Sequence, residues 1–399
     1  MSMKNIQLRM SLIWILCGLL LLVPFAGAHA EEVEVSTHAK AAALIDVESG
    51  RILYSNHGDE PMLIASLTKI MTAIVAIEYG DLSSKVTVGR NAYAKEGSSL
   101  FLKQGEQMTL ENMLYGLMLR SGNDAATAIA EHVGGSEAGF VMLMNAKAEE
   151  LGLNHTHFEN PHGLDAKEHY STANDLAVLT AYAMHNPVFK EIVKTQVKTA
   201  DNPNDKWDYK WLNKNKMLRL YEGADGVKTG YTKKALRCLV SSATRNGQQL
   251  VAVTLNDGND WNDHASLLNF GFNRFPLRTV VERGDRVEGY PLEASLQFSY
   301  PFGPGEEERI VKELVLNSKA ASGSDLNFGL RGVLVLKLGG QEIGRVPMYE
   351  EGHLPKVSQS AAGRETAAVP HQAGTWLQAA GSALKALFDP FRGGGEARD

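Results

Sequence analysis

The stretch IASLTKIMTA, residues 64–73, begins a helix that is almost wholly apolar and yet carries a lysine in its first turn. Apolar residues recur from Leu67 at the i, i+3, i+4, i+7 spacing, which predicts a side that faces a core. The opposite side holds Ser66, Lys69 and two alanines, so the helix is small or apolar nearly all round. Such a helix is typical of the middle of a domain, where a lysine is unusual.

Burial and the helix dipole both disfavour a charged Lys69. Each lowers the pKa of the side chain and favours a neutral amine that accepts a proton. The i, i+3 spacing places this amine beside the Ser66 hydroxyl, and the Ser66 N–H at the helix N-terminus suits a developing oxyanion. The pair is a candidate nucleophile and general base. The alternative is a helix-capping Ser66 and a Lys69 that reaches the surface.

Two motifs far downstream favour the catalytic interpretation. Ser121-Gly122-Asn123 lies in a tight turn between two helical patterns, and Lys228-Thr229-Gly230 precedes the strand that begins near Cys238. Ser121-Gly122-Asn123 is weak alone, because Asn123 is also a natural N-cap. Lys228-Thr229-Gly230 is moderately specific, since the tripeptide is expected by chance in roughly one such chain in ten. Together with S-x-x-K, in this order, they form the set found in penicillin-binding proteins and class A β-lactamases.

On these motifs the sequence resembles the D-alanyl-D-alanine carboxypeptidases, the low-molecular-mass penicillin-binding proteins of serine peptidase family S11. The resemblance covers residues 42–275 and includes the stretches GLMLRSGNDAA and NPHGLD. It implies an α/β (α+β) serine β-lactamase/penicillin-binding transpeptidase-like domain, with a central antiparallel sheet and a helical insertion, followed by a small all-β domain. It also implies removal of the terminal D-alanine from the peptidoglycan pentapeptide stem, covalent inhibition by β-lactams, and no cofactor or metal.

The same resemblance implies a role for each catalytic residue. Ser66 would attack the carbonyl between the two D-alanines while Lys69 takes its proton. Ser121, linked to Lys69 and Lys228, would relay a proton to the leaving D-alanine. The backbone N–H of Tyr231 would complete the oxyanion hole with that of Ser66.

It implies a substrate-binding set as well. Asn123 would hold the amide backbone of the substrate, Lys228 and Thr229 would face its terminal carboxylate, and Gly230 would let the strand edge approach it. Many relatives also bind that carboxylate with an arginine after the strand ending near Leu255. The corresponding segment here, residues 257–264, is acidic and lacks arginine. Its NDWNDH stretch is similar to a Gram-positive sporulation branch of the family.

Two other functions remain open at this stage. A serine β-lactamase would open the same acyl-enzyme quickly, with Glu159 or His162 as the base, although stabilisation of their loop is the other role for both. A non-catalytic envelope-binding module would keep the fold and lose the chemistry, yet Ser66, Lys69 and Lys228 are all present. His155 and His157 are spaced like metal ligands, but a third ligand is lacking.

The composition and the hydrophobic pattern divide the chain into segments. Residues 1–30 read as a secretory signal peptide, with Lys4 and Arg9 before an apolar run that is short for a membrane anchor. We therefore expect export, and a location on the outer face of the cell membrane. The remaining segments are a catalytic domain at 36–275, a small β-rich domain at 276–351, a linker at 352–374 and an amphipathic helix at 375–391.

The final helix and the composition bear on partners. Residues 375–391 place apolar side chains on one side, which suits either a helix lying on a membrane surface or one docked on its own domain. Loss of the signal peptide moves the formal net charge from −6 to −8, which disfavours a nucleic-acid partner. Cys238 is then the only cysteine, so an intramolecular disulfide is excluded.

Overall fold

The computed structural model describes residues 35–317 and 329–355. The predicted signal peptide, the helix at 375–391 and all but the first residues of the linker lie outside these ranges. None of the helices within them is long and apolar enough to cross a membrane.

The larger part of the molecule, up to residue 275, combines helices with antiparallel strands. Its strands are β1 (Ala39–Asp46), β2 (Ile52–Asn56), β3 (Lys85–Thr87), β4 (Gln107–Thr109), β5 (Val197–Ala200), β6 (Tyr209–Leu212), β7 (Ala224–Thr232), β8 (Leu236–Arg245) and β9 (Gln248–Asp257). Its helices are α1 (Lys69–Tyr79), α2 (Leu110–Tyr115), α3 (Asn123–Gly134), α4 (Glu137–Glu150), α5 (Ala173–Met184), α6 (Pro187–Lys194), α7 (Met217–Leu220) and α8 (Asp260–Arg274). A 3-10 turn (Ala65–Thr68) precedes α1, and a π-helical turn (Gly116–Arg120) follows α2.

A five-stranded sheet in the order β2-β1-β9-β8-β7 forms the centre, and all its neighbouring strands are antiparallel. Because side chains alternate along a strand, β1 contributes side chains to both faces of the sheet. Ala43 and Ile45 join the large helical core, whereas Leu44 packs against Gly271 of α8. Helix α1 lies inside the helical core, with residues 69–76 all buried. The predicted fold, a central antiparallel sheet with a helical insertion, is confirmed.

The remaining described residues form an all-β region. Its strands are β10 (Leu277–Val281), β11 (Leu292–Ala294), β12 (Phe298–Pro301), β13 (Ile310–Leu316), β14 (Leu330–Leu338) and β15 (Gln341–Glu350). One sheet has the order β11-β15-β14-β13, and β10 pairs with β12. The run 294–298, which reads as one strand in the sequence, is divided between β11 and β12. This region has its own hydrophobic core, with Phe298 and Leu336 among its members.

Arg51, in the hairpin between β1 and β2, joins the two regions. Its guanidinium contacts both carboxylate oxygens of Glu306, at 2.7 and 2.8 Å, and donates to the carbonyl of Pro301. It also lies 5.2 and 5.4 Å from the ring centres of Phe275 and Tyr300. A half-buried bidentate pair with two aromatic neighbours has better geometry than most surface ion pairs, so we expect it to hold the contact.

Candidate active site

The predicted nucleophile and base meet at the start of α1. Ser66 lies in the 3-10 turn and is half-buried, while Lys69 opens the α-helix and is completely buried. The Lys69 nitrogen lies 3.1 Å from the Ser66 hydroxyl oxygen. The sequence predicts a continuous helix from Ser66, but the structure tightens its first turn before Lys69.

Lys69 has two further contacts, and both are to carbonyl oxygens. Its nitrogen lies 2.7 Å from the side-chain oxygen of Asn123 and 2.6 Å from the backbone carbonyl of His162. A neutral amine has two N–H groups and one lone pair. When the carbonyls accept both N–H groups, the lone pair is left for the Ser66 hydroxyl proton. The geometry therefore suits Lys69 as a base toward Ser66.

The surroundings of Lys69 also favour the neutral amine. Burial places its pKa well below the usual value for lysine. The positive charges of Lys228 and Lys214 lower the pKa further, and the carboxylate of Asp124 opposes them. The pKa shift that the sequence predicts from burial is thus reinforced by two lysines distant in sequence.

The carbonyl that Lys69 contacts is held by the loop at residues 160–164. The side-chain oxygen of Asn160 accepts hydrogen bonds from the N–H groups of His162 and Gly163, and the Thr72 hydroxyl donates to the carbonyl of Pro161. Gly163 has φ of 84°, and a Cβ there would lie 1.9 Å from the Ala65 carbonyl oxygen. Sequence analysis identifies this loop only as a family marker, because a backbone carbonyl leaves no signal of its own.

Neither alternative base in this loop is directed toward Ser66. Glu159 is exposed and its carboxylate accepts the N–H of Glu168 at 2.8 Å. The His162 ring is buried between the N–H of Leu164, which donates to its Nδ1, and Glu137, whose carboxylate lies 3.6 Å from Nε2. Both side chains stabilise the loop, the role given above as the alternative to catalysis.

Ser121 and Asn123 occupy the turn between the π-helical segment and α3. Ser121 has a left-handed backbone, with φ of 67°, and its side chain is buried. The Asn123 amide nitrogen donates to the carbonyl of Glu96 at 2.6 Å while its oxygen faces Lys69. Among the described residues, the Ser121 hydroxyl makes no hydrogen bond to Lys69 or Lys228, so the expected links of Ser121 to these two lysines stay predictions.

The Lys228-Thr229-Gly230 motif lies on β7, the open edge of the central sheet. Lys228 is buried and donates to the carbonyl of Thr229 at 2.7 Å, while burial and Lys214 lower its pKa to about 7. A Cβ on Gly230 would lie 3.3 Å from the Ser66 nitrogen. Glycine thus lets the strand approach the Ser66 turn closely, and Tyr231, next along the strand, is exposed.

Comparison with known proteins identifies this arrangement. A sequence profile of the family described as D-alanyl-D-alanine carboxypeptidase matches residues 27–259. The chain belongs to this family. It is 33% identical to D-alanyl-D-alanine carboxypeptidase DacF of Bacillus subtilis over 372 residues, which is 86% of this chain and 94% of the relative. It is 36% identical to DacC of Escherichia coli, over 66% of this chain and 69% of that protein.

A solved structure gives the same result for the fold. Penicillin binding protein 5 from Haemophilus influenzae superposes with a TM-score of 0.65 at 27% identity, covering 80% of this chain and 98% of that one. The protein is therefore a D-alanyl-D-alanine carboxypeptidase of the low-molecular-mass penicillin-binding type, as the sequence motifs predict.

Sequence analysis missed a third lysine of this carboxypeptidase. Lys214 is exposed, its backbone N–H donates to the carbonyl of Leu119, and its side chain lies 3.4 Å from the Ser98 hydroxyl. Partial desolvation and the positive charge of Arg120 lower the pKa of Lys214 itself. The positive charge of Lys214 lowers the pKa of both Lys69 and Lys228. Because Lys214 belongs to no motif, only the packing of its segment beside Leu119 reveals it.

The acidic segment after β9 holds an arginine from the neighbouring strand. Arg237 of β8 lies opposite Tyr231 of β7 in the sheet register. Its guanidinium makes a bidentate pair with Asp260, the first residue of α8, in which Nε donates to Oδ2 at 3.0 Å. The segment that lacks an arginine thus positions one, on the same sheet face as Thr229 and Tyr231.

Proposed function

We propose that this carboxypeptidase cleaves the bond between the two terminal D-alanines of peptidoglycan stem pentapeptides through an acyl-enzyme on Ser66. The observation that carries the proposal is the arrangement at Lys69, whose nitrogen lies within hydrogen-bond distance of two carbonyl oxygens and of the Ser66 hydroxyl. When the carbonyls accept both N–H groups of the neutral amine, its lone pair is left for the Ser66 proton. An activated serine of this kind also accounts for covalent inhibition by β-lactams, whose strained amide presents the same carbonyl.

The reaction that we propose has an acylation stage and a deacylation stage. Ser66 Oγ attacks the carbonyl carbon of the penultimate D-alanine, and its proton moves to Lys69. The backbone N–H groups of Ser66 and Tyr231 receive the oxyanion. Collapse of the intermediate breaks the C–N bond; the leaving nitrogen takes a proton from Ser121, which recovers one from Lys69. Water, deprotonated by Lys69, then opens the ester and frees Ser66.

Substrate binding divides between two sides of the site. We assign the terminal carboxylate to Thr229, Lys228 and Arg237, since Arg237 is the guanidinium on the Thr229 face of the sheet edge. The Asn123 side chain already bridges Lys69 and Glu96. To bind the amide backbone of the substrate, the Asn123 side-chain N–H must therefore leave the Glu96 carbonyl and donate to the substrate instead.

Fluorescent penicillin labelling and D-alanine release from a pentapeptide test the proposal. We expect the wild type and Ser83→Ala, which changes an exposed serine, to label and to release D-alanine. Ser66→Ala should do neither. A Ser66→Ala variant that still releases D-alanine would exclude this nucleophile. Penicillin turnover by the wild type within seconds would instead favour a β-lactamase.

We also propose that the enzyme works outside the cytoplasmic membrane. The support is sequence alone, namely the leader at residues 1–30 and the amphipathic pattern at 375–391. Fractionation of cells that produce the full chain and a chain ending at residue 374 tests this. Loss of membrane association only in the shorter chain is expected, whereas equal distribution would favour a helix docked on its own domain.

A further inference from the structure

Beside the active site, a cleft of about 360 Å³ separates the loop at residues 100–103 from the β5–β6 hairpin. This volume lies within the range of small-ligand sites, which is about 300–1,000 Å³. Its walls carry two strongly exposed aromatic side chains, Phe101 at 85% and Trp207 at 69% of their full exposure. Neither residue has a role in the reaction above, and exposed aromatics beside a cleft are typical of a binding surface.

The loop on one side of the cleft is hydrogen-bonded to the catalytic turn. The carboxylate of Asp124, next to Asn123, accepts the N–H of Leu100 at 2.9 Å and the hydroxyl of Ser99 at 2.6 Å. That same Ser99 hydroxyl receives the N–H of Phe101. The loop that presents Phe101 is therefore fixed to the segment that carries Ser121 and Asn123.

The opposite wall is held just as firmly. Buried Glu106 accepts the Tyr209 hydroxyl at 2.9 Å, the Asn204 amide at 2.7 Å and the N–H of Lys103 at 2.9 Å. Tyr209 stacks on buried Trp211, with ring centres 5.4 Å apart. One carboxylate thus ties both walls together, so the cleft is formed before any ligand binds.

The remaining lining is polar and balanced in charge. It comprises Lys103, Lys210, Asp205, Asp208 and Asn202. Within the described residues, the side chains of Lys103, Lys210 and Asp208 make no hydrogen bond or ion pair. Aromatic faces combined with unpaired polar groups of both signs suit a neutral ligand that has an apolar face and many hydroxyl or amide groups. A pyranose ring with an acetamido substituent has this chemistry.

We propose that this cleft binds an N-acetylated sugar of the glycan strand that carries the stem peptide. The inference rests on the proposed function, because the stem peptide is covalently attached to such a sugar. Trp207 and Phe101 contact the apolar faces of the sugar, while the polar side chains hydrogen-bond its hydroxyl and acetamido groups. The enzyme therefore distinguishes stem peptides on glycan from free peptides.

The test compares a free stem pentapeptide with the same pentapeptide on its disaccharide, for wild type, Trp207→Ala, Phe101→Ala and Tyr93→Ala. Tyr93 is a half-exposed aromatic that does not line the cleft. For the Trp207 and Phe101 variants, we expect kcat/KM to fall about tenfold on the disaccharide-pentapeptide, the effect of losing one aromatic stack. Their activity on the free pentapeptide and their penicillin labelling should match wild type, and Trp207→Phe should retain activity on both substrates.

Each other outcome overturns the inference. Equal loss on both substrates would assign these aromatics to the stem peptide or to folding, and unchanged activity on both would remove them from recognition. Failure of the wild type to release D-alanine from either substrate would instead defeat the proposed function. The two proposals therefore fail in different ways.

Discussion

The Lys69 nitrogen lies 3.1 Å from the Ser66 hydroxyl oxygen, at the centre of a site that contains two more lysines. Lys69 and Lys228 are buried and Lys214 is exposed nearby. Three ammonium groups would repel one another, so loss of a proton from a buried lysine relieves both desolvation and repulsion. The charges of Lys228 and Lys214 thus act on the reactivity of Ser66 through the protonation of Lys69.

The pH dependence of acylation tests this coupling. Lys69 must be neutral to act as a base, so the acylation rate should fall as pH decreases through its pKa. In Lys214→Met the acid limb of the plot of acylation rate against pH should move to higher pH, because one of the charges that lower the pKa of Lys69 and Lys228 is gone. This shift is measured from the rate of acylation by a fluorescent penicillin over a range of pH values. Lys214→Arg, which keeps the charge, and Lys206→Met, which removes a different lysine, should leave the acid limb at its wild-type pH. An unchanged acid limb in Lys214→Met would contradict an effect of Lys214 on the pKa of Lys69.

Lys228 should reduce the stability of the fold below pH 10. Its pKa is about 7 in the folded protein and 10.5 as a free side chain, so between these values the unfolded chain binds a proton that the folded chain does not. Wild-type stability therefore rises with pH across this window. Lys228→Met should be inactive yet more stable than wild type by a few kcal/mol near pH 6.5, with little gain near pH 10. Urea denaturation of wild type and Lys228→Met at both pH values measures this difference in the free energy of unfolding. An equal gain in stability at both pH values would contradict the lowered pKa of Lys228.

Gly163 supports the carbonyl that Lys69 contacts. Gly163→Ala adds a Cβ 1.9 Å from the Ala65 carbonyl oxygen at a backbone φ of 84°. Gly247→Ala is a matched control, since Gly247 has φ of 81° and an open space for a Cβ. We expect the control to lose about 1 kcal/mol and Gly163→Ala about 3 kcal/mol or more, with acylation impaired only in the latter. Similar thermal unfolding of the two variants would show that the Gly163 contact is unimportant.

Arg237 should determine the requirement for a free C-terminal carboxylate. Arg237→Ala removes a guanidinium that Asp260 holds on the same sheet face as Thr229, so kcat/KM on a pentapeptide should fall roughly tenfold to a hundredfold. The same change should have little effect on a pentapeptide amide, which lacks the charge. Arg245→Ala, on the far end of β8, is the control. Equal loss on acid and amide substrates would place Arg237 outside the carboxylate site.

Local patterns predicted the elements whose signal lies within one segment. Two strand-like runs around the Glu48-Ser49-Gly50 turn predict a hairpin, and the helical period over 173–184 predicts a helix. The structure has the β1–β2 hairpin and helix α5 at these positions. Strands β3 and β4 were not predicted, because strands as short as these (Lys85–Thr87 and Gln107–Thr109) have too few residues to show alternation. The site divides in the same way: Ser66 and Lys69 follow from one helical turn, whereas Lys214 and Arg237 follow from no motif.

The sequence alone determined the family, the fold class and the catalytic pair, because spacing on a helix and three ordered motifs are properties of the chain itself. Only the tertiary structure decided which other groups complete the site around that pair. The His162 carbonyl, Lys214 and the Arg237–Asp260 pair come from segments far apart in sequence. Their effects depend on distance, burial and charge, and these quantities are set only when the helical core closes against the edge strand β7.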